Sequence, residues 1–162
     1  MEYVQFAERW IHFMAGITWI GLLYYFNFVQ VPAMGAALAD KDGPGPAAIG
    51  KYVAPRALLW FRWSALATWF AGAGLLGPNF VSAFTLQSGF VNIGIGAWLG
   101  TIMLLNVWGV IWPNQKKILG MVEASADEIA RAKRVALLAS RTNTMLSIPM
   151  LWFMAAQSHG VM

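Results

Sequence analysis

The chain has 162 residues, enough for one domain; it carries a net charge of +4, with 59% of its residues apolar and 11% charged. That is about half the charged share of an ordinary soluble domain, a composition suited to a bilayer. The basic excess does not read as nucleic-acid binding, because Lys and Arg collect in loops beside apolar segments instead of lining a groove with interleaved aromatics, and the absence of cysteine excludes disulfides, thiolate metal sites, iron–sulfur clusters and a CxxCH-attached haem.

Four apolar segments, 10–32, 57–76, 91–112 and 135–158, are each long enough to cross a hydrocarbon core of about 30 Å, which takes roughly 20 helical residues. The first follows Glu2, Glu8 and Arg9; it is too long for the apolar stretch of a cleavable signal, so it is expected to remain as the first span. Between the first two segments lie Lys41, Lys51 and Arg56, and between the last two lie Lys116, Lys117, Arg131, Lys133 and Arg134, whereas residues 77–90 carry no basic residue. Short cytoplasmic loops collect Lys and Arg. The expected fold is therefore a single all-α domain embedded in the membrane, a bundle of four transmembrane helices with both termini outside and the first and third loops in the cytoplasm.

Punctuation refines this picture. The Asp40–Pro46 stretch holds two Gly-Pro pairs and cannot continue a helix, Pro55 suits the first turn of the second helix, and Pro113 is expected to end the third. Ser125 followed by Glu128 is a capping box, which starts the fourth helix well before its apolar part, so that this long helix extends into the cytoplasm. Pro149 inside it removes one backbone hydrogen bond and predicts a kink, either a functional hinge or a proline whose freed carbonyl finds a neighbour.

The chain has two histidines, and this topology puts His12 and His159 at the same outer membrane level. They could ligate one b-type haem axially between facing helices, or sit unliganded at the headgroup boundary. A second polar group, Asn27, Arg62, Asn106, Arg141 and Asn143, lies toward the cytoplasmic side with one or two members from each span. It reads either as a hydrogen-bonded cluster that staples the helices or as a site for an anion, haem propionate or quinone head. Gly96 and Gly100 form a small-xxx-small face for close helix approach, within the bundle or toward another subunit. No carboxylate lies inside any span, which disfavours ion-coupled transport, and two histidines on one side cannot supply the ligands of a non-haem catalytic metal.

Several stretches together resemble a known family: Trp10-Ile-His-Phe-Met-Ala-Gly-Ile-Thr-Trp-Ile-Gly-Leu-Leu-Tyr-Tyr-Phe26, Trp60-Phe-Arg-Trp63, Leu99-Gly-Thr-Ile-Met103 leading to Asn106-Val-Trp108, Ile111-Trp-Pro-Asn-Gln-Lys-Lys117, and Arg141-Thr-Asn-Thr-Met-Leu-Ser-Ile-Pro-Met-Leu151 with Ser158-His159. In order and over most of the chain, they are similar to the membrane region of the bacterial membrane-bound urate oxidase (urate hydroxylase) family. In that family a multi-helix membrane domain precedes a cytochrome c domain and passes electrons from purine oxidation to the respiratory chain. The resemblance implies a short member without the cytochrome, located in the bacterial inner membrane. It keeps histidines at 12 and 159, but a third histidine expected just before the Gly-Thr-Ile-Met stretch is replaced near Ile95.

Three functional readings follow. The first is a small membrane subunit of a larger respiratory or redox complex, docking through its glycine face and outer surface on other membrane subunits, with or without haem b between His12 and His159. The second is a membrane component of a urate-oxidising enzyme, with Arg62 and Arg141 binding the purine anion and electrons leaving to a separate periplasmic cytochrome c. The third is a cofactor-free scaffold. None gives the chain on its own a catalytic residue.

Overall fold

The computed structural model describes residues 2–160, among which there is no β-strand. A first helix, α1 (Glu2–Ala39), runs unbroken through a π-helical stretch at Tyr25–Gln30. After the Asp40–Pro46 turn comes α2 (Ala54–Leu76), entered through another π-helical stretch at Ile49–Val53, then a short α3 (Phe80–Phe84). The last two are α4 (Val91–Ile118), with a π-helical stretch at Val107–Ile111, and α5 (Ala126–His159). Each of the four expected apolar segments falls within one long helix. Of these, α1 and α4 are long and apolar enough to cross a membrane.

Pro113 does not end its helix as the sequence suggested, and the reason recurs at three prolines. A proline has no N–H to donate, and its ring clashes with the carbonyl four residues back. Here the residue before each proline bonds five residues back: Val31 to Phe26, Ala54 to Ile49 and Trp112 to Val107. The widened turn lets the helix pass Pro32, Pro55 and Pro113 without termination. At Pro149, by contrast, α5 stays α-helical throughout.

The long helices run alternately up and down. Contacts between α1 and α2 pair Phe26 with Phe61, Gly16 with Thr68 and His12 with Gly72, so residue numbers rise on one helix as they fall on the other. The same opposition holds for α4 and α5, where Gly96 meets Met154, Asn106 meets Asn143 and Lys117 meets Glu128. The common core takes Trp19, Leu23 and Phe26 from α1, Leu58, Phe61 and Ala65 from α2, Met103, Val107 and Ile111 from α4, and Met150 from α5. Large apolar side chains also face outward along every long helix, among them Ile17 (69% exposed), Phe70 (64%), Leu105 (65%) and Ile148 (66%).

The fourth helix starts where the capping box placed it. The Ser125 side chain accepts from the Glu128 amide, and the Glu128 carboxylate accepts from the Ser125 amide at 2.9 Å. Those bonds, led by the one from the Ser125 backbone and aided by Lys117, hold the Glu128 carboxyl below its usual range. At the other end Gly160 closes α5 in the left-handed region at φ 63°, a conformation glycine adopts without steric cost.

Glycine also permits the closest approach between elements. The turn after α3 folds back on the first turn of α4, and a Cβ at Gly94 would collide with the Ala83 carbonyl and press on Leu86. A Cβ at Gly100, also buried, meets nothing within 4 Å. In thermal unfolding in detergent, Gly94→Ala should lose about 1–3 kcal/mol to overpacking, while Gly100→Ala should be neutral or gain up to about 1 kcal/mol of helix propensity. Equal losses at both positions would contradict this packing.

Candidate functional site

Buried polar groups need partners; in this bundle many find them on neighbouring helices, while the Trp19 indole nitrogen, Asn27 Oδ1 and Gln30 Oε1 are buried with none among the described residues. Asn143, with none of its surface accessible, donates to the Met103 carbonyl at 3.0 Å and accepts from Asn106 at 2.7 Å; Asn106 also donates to the Ala139 carbonyl at 2.9 Å. Each asparagine thus grips the other and the other helix's backbone, which clamps α4 to α5. Asn27 donates to Ser140 at 2.8 Å and to its own helix at Leu23, and the Tyr24 and Ser147 hydroxyls are 3.0 Å apart, joining α1 to α5. Trp69 donates to Thr101 at 2.8 Å and Trp108 to the Arg62 carbonyl at 3.2 Å, joining α2 to α4. His12 Nδ1 lies 2.8 Å from the Thr68 carbonyl and joins α1 to α2. Every adjacent pair of long helices therefore has a side-chain hydrogen bond across it, and the four pairs close a ring.

The five polar residues grouped by the sequence do not form one site. Asn106 and Asn143 bond directly and Asn27 joins the ring through Ser140, but Arg62 and Arg141 stand apart from them. Arg141 is exposed on α5. The half-buried Arg62 lays its guanidinium 3.7 Å from the centre of the Trp112 ring. It faces a shallow groove of about 390 Å3 that Arg56, Leu59, Leu119 and Met121 help to line. The guanidinium–indole stack was not legible in the sequence, because it joins residues 50 positions apart on different helices.

The histidines lie at one end of the bundle but in different surroundings. A carbonyl can only accept, so His12 donates from Nδ1 to Thr68. Its ring fills the notch at Gly72, where a Cβ would come within 2.9 Å of it. His159 bonds within its own helix, with Nδ1 3.0 Å from the Ala155 carbonyl, and lines an open groove with Trp152, Ala155 and Ala156. Of the two grooves, the one beside Arg62 is lined by neither imidazole and this one by His159 alone. Sequence reasoning put Glu8 outside the first span and gave it no role, yet its carboxylate fills the space that a Cβ at Gly74 would take, one turn from His12.

The glycine face on α4 is turned inward. Gly96 and Gly100 are both buried, and a Cβ at Gly96 would lie 3.3 Å from three atoms of the Met154 side chain. This face serves α4–α5 packing. A partner that contacts the chain must use another surface.

Because the asparagine clamp is reciprocal, its halves should be coupled. A double-mutant cycle on Asn106→Ala and Asn143→Ala, read by unfolding in detergent, should give a coupling energy of about 1–2 kcal/mol, the upper part of the range for hydrogen bonds between membrane helices. Strict additivity would mean that the two side chains act separately.

Residues 78–162, just over half of the chain, match the family model described as "Urate oxidase N-terminal". No curated protein and no solved structure matches. The matched part contains the α4–α5 clamp, the inward glycines and His159, while the half with His12 and Arg62 pairs with it across the ring. The chain belongs to the urate oxidase N-terminal family.

Proposed function

We propose that the chain is the membrane component of an oxidase or electron-transfer complex of the urate-oxidase type. In this reading it crosses the inner membrane four times, with both termini on the outer side and both basic loops in the cytoplasm, and a separate cytochrome c on the outer side accepts electrons. Family membership carries the proposal. The outward apolar side chains on all four long helices support membrane embedding, because contiguous apolar surface on this scale marks contact with lipid or protein. The up-and-down order brings both basic loops to one end of the bundle, in keeping with a single cytoplasmic face.

The role within the complex follows from where the polar groups are spent. Asn27, Asn106, Asn143, His12 and Thr101 bond to neighbouring helices, so the bundle interior reads as a braced frame and not as a chamber for substrate. The purine-oxidising chemistry is accordingly assigned to the assembled complex. With the α4 glycines buried, the outward aromatics on α1, such as Trp10 and Phe13, are the surface offered to a membrane partner.

The test is to delete the chain from its host and assay urate-dependent reduction of cytochrome c in isolated membranes. The rate should fall to background and return with the wild-type chain. It should return only weakly with Trp10→Ser combined with Phe13→Ser, a pair that leaves the core and the polar ring intact. An unchanged rate in the deletion strain would contradict the proposal.

A further inference from the structure

The groove beside Arg62 has a chemistry that the polar ring does not use. Its two cationic side chains come from the first turns of α2: Arg56, whose Nη1 donates to the Tyr52 carbonyl at 2.7 Å, and Arg62, stacked on Trp112. No carboxylate lines it, and the one ion pair among the described residues, Lys117 with Glu128 at 3.5 Å, lies elsewhere. Among the described residues the Arg62 guanidinium has no hydrogen-bond acceptor, although Trp112 holds its plane in place. A guanidinium fixed by stacking has lost much of its freedom already, so binding an anion costs it little further ordering.

The remaining walls are apolar. Leu59, Leu119 and Met121 border the groove, and the outward-facing Trp60 and Trp63 continue the apolar surface along α2. A free inorganic anion would leave these walls wet and unused. A phosphodiester with acyl chains would satisfy both parts, with its phosphate oxygens on the guanidinium groups and a chain along Leu59 and Trp63. Nearby Lys116 adds positive charge at the same end of the bundle, which favours a lipid of net negative charge over a zwitterion.

We infer that the groove between the start of α2 and the end of α4 is a binding site for an anionic phospholipid such as phosphatidylglycerol, with Arg62 as the principal headgroup ligand and Trp112 as its support. The inference rests on the membrane placement proposed above but not on any partner or redox role. It can therefore be tested on the isolated protein.

Thermal unfolding of the purified chain in a neutral detergent is followed with added dioctanoyl-phosphatidylglycerol, dioctanoyl-phosphatidylcholine or inorganic phosphate. Phosphatidylglycerol at a hundredfold excess over its Kd should raise Tm by about 5 °C or more, and the other two should raise it far less. Arg62→Gln should lose most of that rise, Arg62→Lys should keep part of it, and Lys133→Gln should keep all of it. If Arg62→Gln fails to fold, Arg56→Gln takes its place, with native mass spectrometry of the wild type from mixed micelles reading preferential retention of phosphatidylglycerol over phosphatidylcholine. An equal rise with phosphatidylcholine, the whole rise with inorganic phosphate alone, or an undiminished rise in the arginine variants would each overturn the assignment. Loss of urate-dependent activity in the whole complex has no bearing on these readings, so failure of the functional proposal and failure of the lipid site are distinguishable.

Discussion

Asn143 sits fully buried where α4 and α5 cross, and an amide there must bond or be left unpaired in a medium that offers no water. Its exchange with Asn106, each side chain also holding the other helix's main chain, fixes the rotation and the axial register of the pair. In the membrane setting proposed above, apolar packing alone would leave register loosely set, since lipid tails would compete with leucine and methionine on nearly equal terms. With α5 pinned to α4, Ser140 and Ser147 come to the positions that receive Asn27 and Tyr24 from α1. Trp69, Trp108 and His12 then complete the circuit through α2.

This polar circuit depends on backbone fit at two kinds of residue. Glycines at 72, 94 and 96 make room for His12, for the Ala83 carbonyl and for Met154, drawing helices and connector close enough to bond. Prolines at 32, 55 and 113 would interrupt three helices at one end of the bundle. The π-helical turns before them keep each helix continuous and carry it beyond its apolar stretch. That continuation brings Trp112 over Arg62 and Lys117 to Glu128. The basic end of the molecule is thus shaped by prolines, among them Pro113, which the sequence marks as a stop.

Four helices were legible in the sequence because twenty-residue apolar runs have few other meanings, and the start of α5 was legible because a capping box is a local signal. The continuation past Pro113 was not, since propensity marks proline as a breaker and the compensating π turn depends on tertiary packing. Among candidate residues, the three asparagines were found because amides within apolar runs demand partners. The hydroxyls that complete the ring, Ser140 beside Asn27, the Tyr24–Ser147 pair and Thr101 beside Trp69, were missed, because hydroxyls in helices are common and bond back to their own turn, as Thr68 does to Ser64. Arg62 and Arg141 were grouped by depth alone. Depth does not give the face of the helix, and the structure puts one on Trp112 and the other on an exposed face. The histidines were grouped in the same way, and each has its own neighbours.

The central claim is that this bundle lies across a membrane with its basic end in the cytoplasm, and the lack of native cysteine makes it directly testable. Single cysteines introduced at Asp42, Gln87 and Glu123 would be probed with a membrane-impermeant maleimide in intact spheroplasts and again after lysis. The account predicts labelling of Gln87→Cys in intact spheroplasts, and of Asp42→Cys and Glu123→Cys only once the membrane is opened. Labelling of Asp42→Cys or Glu123→Cys in intact spheroplasts, or protection of Gln87→Cys there, would contradict it.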